Sequence, residues 1–443
     1  MESIRNKYLS LVENLNYYLF VVAICMLPFP TRISLYAWVI WLLSWLLEGR
    51  FLRRENLKWH LGLLPIILFV IWVIWESISY IWAINKLDAA NMLIRHISFI
   101  GIVPLALWGV NGRYNWLMAA KCFIASCILS LACYSLYIHI LQHWSYIDQH
   151  QYWPDYFSTW RYFGDQISYF KHRLYYGTIL NIAIVVLLQI KHYSPRTNHK
   201  NVWRRLLFIL SLATLVIGII WTGSRANMLT LLVVSAAAII LPLRGRIRYL
   251  VASLVCVMTI MFCSLLFTLH PRFEKLQFEH ITERASFSIT EVEPRINIWY
   301  SALQTPEDYW WHGVGVGGNT EYLKPVYASL NWQRFYERQY NAHNQYLGML
   351  INFGILGAVF FLLMYLLYPC WYKGRVRGFA TLAILILGLN MLTENMLDRI
   401  DGVIVTCAIL LITSLFARTQ SQKEPSYHSF PTATRSIKKL RHL

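Results

Sequence analysis

The sequence predicts an all-α protein that crosses a membrane about twelve times. Three observations predict it. The 443 residues are 57% hydrophobic and 16% aromatic but only 14% charged, and mean hydropathy is +0.42. Apolar runs long enough to cross a hydrocarbon core of about 30 Å recur along nearly the whole chain. Lysine and arginine gather in alternate connections, the pattern that orients polytopic proteins.

The runs fall at 15–29, 32–47, 61–83, 90–110, 114–141, 172–190, 206–222, 226–243, 249–269, 345–368, 379–396 and 402–416. The first ends in Pro28-Phe29-Pro30 without an A-x-A-like cleavage site, so it reads as a retained span and not a signal peptide. The seventh and eighth are one apolar stretch from Leu206 to Leu243. As a single helix it would measure about 57 Å, far more than a bilayer core. It must fold back on itself at Gly223-Ser224, with Arg225, the only charge between Arg205 and Arg244, at the tip. Segment 270–344, between the ninth and tenth runs, is the one large extramembrane piece and reads as short helices broken by turns. Residues 1–416 form a single transmembrane domain, and 417–443 a basic tail.

Of the 40 basic residues, 25 lie in the connections that also hold both termini. Both termini are therefore expected in the cytoplasm, and the +18 net charge is mainly an orientation signal. That excludes nucleic-acid binding as the reason for the basicity. The tail "RSIKKLRHL" reads as a solvated segment or one that touches anionic lipid heads. All eight cysteines fall in or at the end of apolar runs, so neither a disulfide nor a metal site is expected.

The Arg225 tip, segments 142–171 and 270–344, and the "TENMLDRIDG" turn then face outward and carry the candidate chemistry. "EPRINIWYSAL" starts as a helix that puts Arg295, Trp299 and Ala302 on one face. "TPEDYWWHG" repeats the start signal, with Thr305 as N-cap and Trp310-Trp311 as an interfacial pair. "HGVGVGGN" matches G-x-G-x-x-G formally, yet no strand precedes it. It reads as a flexible loop with exposed backbone N–H groups, open to use as an anion nest. His343 stands at the mouth of the tenth run, with Asn341 or Asn344 able to cap the helix. There the positive helix end favours a neutral ring able to accept a proton. Glu76 is an intramembrane carboxylate, functional by default or else protonated and bonded to a neighbouring helix. Glu394, Asp398, Arg399 and Asp401 could pair among themselves at their turn. Arg161, Lys171, His172 and Arg173 flank the sixth run beside several aromatics. Arginine grips phosphate bidentately and histidine is the usual general base, so the set suits a phosphate-bearing lipid at the outer surface. Solvated arginines and an interfacial histidine are the plainer reading of the same residues.

The strings "WTGSRANML" (221–229), "PRINIWYSAL" (294–303), "HGVGVGGN" (312–319) and "AHNQYLGMLINFGILG" (342–357) together resemble the O-antigen ligase family, within the superfamily of ligases and O-antigen polymerases. The resemblance implies a GT-C-like membrane fold and a glycosyltransferase with no cofactor and no metal. Such an enzyme inverts the anomeric carbon as it moves polysaccharide from undecaprenyl pyrophosphate to a sugar of lipid A–core, on the periplasmic side of the inner membrane. It implies His343 as catalytic base and Arg225 and Arg295 on the pyrophosphate, with Arg161 and Arg173 as further phosphate candidates. Trp299, Asn344, Tyr346 and Glu76 are candidates for acceptor or sugar contacts. An O-antigen polymerase generally displays two large outer loops, and 142–171 is short; a protein O-oligosaccharyltransferase usually carries a soluble C-terminal domain. A polysaccharide or lipid transporter commonly shows inverted repeats, and none is visible here.

Overall fold

The computed structural model describes residues 2–49, 64–101, 114–138, 166–193, 202–243, 245–269, 294–304, 310–330 and 332–421. Every regular element among them is helical. In chain order they are α1 (Glu2–Cys25), α2 (Thr31–Glu48), α3 (Leu64–Ser79), α4 (Lys86–His96), α5 (Trp116–Leu136), α6 (Arg173–Tyr193), α7 (Val202–Trp221) and α8 (Arg225–Ile240). Then come α9 (Arg246–Leu269), α10 (Pro294–Leu303), α11 (Asn319–Ser329), α12 (Gln333–Arg338), α13 (Gln345–Leu367), α14 (Gly374–Met391) and α15 (Ile400–Ser421). Among the described residues six helices are long and apolar enough to cross a membrane: Trp116–Leu136, Arg173–Lys191, Val202–Trp221, Gln345–Trp371, Gly374–Met391 and Ile400–Gln420. Ser10–Cys25, Ile67–Trp82 and Arg225–Ile240 are apolar but shorter. The chain is a multi-pass helical membrane protein.

Burial ranks these helices. The apolar window of α15 is 89% buried by its neighbours and that of α7 only 17%. So α15 is the central post, while α7 turns Trp203, Leu207, Leu210 and Ile217 outward. Without water to drive association, contact between such helices rests on close packing and side-chain hydrogen bonds. Buried aromatics such as Trp72, Trp116 and Tyr176 supply the first.

Gly223, at φ +61°, ends α7 in the left-handed region, and Ser224 caps α8, as the fold-back argument expects. The eleventh run, in contrast, ends early: α14 stops at Met391. Glu394 therefore lies on the connecting turn and not in the span.

The glycine-rich loop departs from its reading. Helix α13 breaks at Gly354 (φ +66°). Ile351 and Asn352, just before the break, accept hydrogen bonds from the backbone N–H of Val314 and Gly315, both at 2.9 Å. Val316 N–H donates to Ser79 Oγ at 3.1 Å. A Cβ on Gly315 would stand 2.4 Å from the Ala83 backbone. The glycines serve close backbone packing between α3 and α13. With three consecutive N–H groups spent, the loop is not an open nest.

Candidate active site

The charged groups meet at one end of the bundle, around the turn from Thr393 to Arg399. His343 precedes α13 with φ +42°, held by its own N–H bonding Asn341 Oδ1 at 3.1 Å. Asn344 is the N-cap, its side chain accepting from the N–H of Tyr346 and Leu347. The His343 ring reaches across to the turn, placing Nδ1 3.1 Å from Glu394 Oε2. Tyr340 meets the same ring edge-on at 5.5 Å.

Burial alone would raise the Glu394 carboxyl. The hydrogen bond and charge of His343, joined by His172 and Arg399, instead hold it below the usual carboxylate range. It is therefore the ionised acceptor, which makes His343 Nδ1 the donor; whenever the ring is neutral, the lone pair lies on Nε2. Arg399 Nε stands 4.0 Å from the other Glu394 oxygen. Burial pushes His172 down, and Glu394, Arg399 and Arg173 all act on it, so Arg173, at the start of α6, belongs to this end of the bundle.

Arg295 joins the same turn: its Nε donates to Thr393 O at 3.1 Å. On α10 the buried face is Asn297, Ile298, Ser301 and Ala302, and Arg295 and Trp299 are half-buried along its edge, so of the three residues that the spacing groups only Ala302 points fully inward. Arg225 opens α8 at the same level. Thr230, further along α8, meets Asn390 near the end of α14 (3.4 Å). Asn227 fastens the tip to α6 through Leu174 O at 2.8 Å and bonds Ser224 Oγ at 3.0 Å.

Several candidates take other places. Asn344 spends its side chain as a cap, and Tyr346 donates its hydroxyl to Gly388 O at 3.1 Å. Glu76 is fully buried, with Trp72 Nε1 at 2.8 Å and His96 Nδ1 at 2.7 Å on its two oxygens, which leaves no face toward a sugar. Arg161, Thr305 and most of segment 142–171 lie outside the described residues. The acidic cluster pairs within itself only through Arg399 and Glu394, and otherwise turns to residues outside it. Glu394 turns to His343, Asp398 to Asn341 and Asn395, and Asp401 to Lys171 at 3.0 Å. What the sequence reading missed is the partnership of Glu394 with His343, 51 positions apart. The "TEN" string shows the carboxylate but not its partner.

A half-buried histidine hydrogen-bonded to a buried carboxylate, with two arginines at the same end of a multi-pass helical bundle, is an arrangement suited to acid–base chemistry on an anionic substrate. Residues 210–362 match the family model described as O-antigen ligase. All four motifs lie inside that stretch, which is about a third of the chain and is similar to the O-antigen ligase family. That similarity points to a membrane glycosyl-transfer enzyme of the O-antigen ligase and polymerase kind. No curated protein matches the chain.

Proposed function

We propose that the protein moves O-antigen polysaccharide from undecaprenyl pyrophosphate to a sugar of lipid A–core, at the periplasmic face of the bacterial inner membrane. The observation that carries this reading is His343 Nδ1 against the Glu394 carboxylate. A ring anchored through Nδ1–H offers Nε2 to an incoming hydroxyl, in one tautomer and one orientation. Nε2 takes the proton from the acceptor hydroxyl, whose oxygen attacks the anomeric carbon from the face opposite the pyrophosphate. The bond from that carbon to the phosphate oxygen breaks, and undecaprenyl pyrophosphate leaves with the pair of electrons. Arg225 and Arg295 bind and stabilise that departing anion. A single displacement of this kind inverts the anomeric centre, and two guanidinium groups supply positive charge where a metal could otherwise serve. On this reading activity survives chelation and needs no nucleotide.

Deleting the gene tests the whole reading. Lipopolysaccharide without its long chains, together with accumulated lipid-linked polymer, is the expected outcome. Lipid-linked material stalled at one repeat unit would identify a polymerase instead.

A further inference from the structure

The geometry points to Glu76 and His96 as positioning residues for the His343–Glu394 pair, acting through the 394–398 turn from beneath. This rests on the proposed role of His343 as base.

Both residues are fully buried. His96 places Nδ1 2.7 Å from Glu76 Oε2 and Nε2 2.8 Å from Leu397 O. A carbonyl only accepts, so Nε2 must carry a proton. One further proton lies between Nδ1 and the carboxyl oxygen, whichever atom holds it. The pair as a whole is then neutral, which makes its burial tolerable. Trp72 Nε1–H occupies the other Glu76 oxygen at 2.8 Å, so neither side chain can turn without losing a bond. The neighbouring Arg95 Nη1 also donates to the turn, at Asp398 O.

Leu397 is thus gripped on two sides, since its N–H donates to Gln345 Oε1 at 2.7 Å. Above it, Asn344 N–H donates to Asn395 Oδ1 at 2.8 Å. These bonds set the register between the 394–398 turn and the loop before α13, and that register decides whether Glu394 meets His343. With Glu76 gone, His96 is free to place its proton on Nδ1. Its bare Nε2 would then face Leu397 O, two acceptors in opposition, and the turn loses its lower anchor.

The test uses the full-length protein in lipid nanodiscs, with ligation and donor binding measured separately. Glu76→Leu should cut kcat by about tenfold or more, the scale of a small misplacement at a reacting centre, and leave donor binding near wild type. Glu76→Gln is the sharper variant. Its amide accepts from Trp72 and donates to Nδ1, so Nε2–H stays on Leu397 O and activity should stay within about threefold of wild type. Glu76→Leu combined with Glu394→Ala should be no slower than Glu394→Ala alone, because both act on one step. A purely structural role would multiply the two losses. Multiplied losses, a Glu76→Gln protein as slow as Glu76→Leu, or a fully active Glu76→Leu protein would each overturn the inference. His343→Ala serves as the reference. If that variant ligates normally, the base role itself is wrong and this inference goes with it. If it is inactive while the losses multiply, only this inference fails.

Discussion

Two turns at one end of the bundle carry the charged groups, and they are built in opposite ways. Thr222–Asn227 is made by its own sequence: a left-handed glycine ends α7, a serine caps α8, and Arg225 follows. Thr393–Arg399 is made by partners from elsewhere in the chain: His343 and Asn344 lie 51 positions away, and His96 301. The first construction fixes where a long, charged side chain stands, which suffices to hold an anion. The second fixes how two side chains face each other, which proton transfer requires.

Breaking the second turn's pair has the largest expected effect. His343→Ala should fold and bind the lipid-linked donor yet lose about 10²–10⁴-fold in ligation, the usual range for a general base. His343→Gln keeps hydrogen-bonding capacity but accepts no proton, so it should be nearly as slow. Ligation with purified donor and acceptor, alongside donor binding, measures both. Near-normal turnover by the glutamine variant would remove His343 from the base role.

The arginines sharpen the contrast. Removing either should lose roughly 1.5–3 kcal/mol of charge-assisted bonding, and lysine should rescue poorly because it cannot bind bidentately. The two differ in how they are anchored. Arg225→Lys should weaken donor binding chiefly. Arg295→Ala also gives up the Nε bond to Thr393 O, so it should slow ligation even at saturating donor. Full ligation by either variant counts against the clamp, and matching kinetics for the two would dissolve the distinction.

The same contrast explains what could be read from the sequence. The fold-back at Gly223-Ser224, the helix beginning at Pro294 and the cap before α13 come from signals within a few residues, and each stands where its signal lies. The Glu394 partnership, the burial of Glu76 against His96 and the docking of the glycine-rich loop on α13 depend on residues brought together only by packing. Periodicity and capping carry no information about such pairs.

A packing change tests whether the first turn is as self-sufficient as its sequence implies. Asn227 is its long-range bolt, and Gly177 on α6 makes room for it: a Cβ there would stand 2.7 Å from the Asn227 amide. Gly177→Ala should therefore cost about 1–3 kcal/mol of stability, as overpacking does, and weaken donor binding as the Arg225 tip shifts. Unfolding midpoints and donor titration report the two. Lowered stability with unchanged donor binding would show that the local caps alone place Arg225.

The smallest expected effect concerns pH and the second turn. Glu394 sits below its ordinary value of 4.5 although burial pushes the other way, because His343, His172 and Arg399 favour the ionised form. A carboxyl depressed in the folded state adds stability that is present above its unfolded value and is lost as the pH falls through the folded one. The difference in unfolding midpoint between wild type and Glu394→Gln should thus be greatest near neutral pH and shrink below 4.5. Asp398 runs in the opposite sense. Burial raises it, so its protonation favours the folded state as the pH falls. An Asp398→Asn protein measured over the same range separates the two slopes. If the difference between wild type and Glu394→Gln instead widens on acidification, the carboxylate is not kept ionised by the histidine. The orientation of His343 would then have to come from its backbone and Asn341 alone.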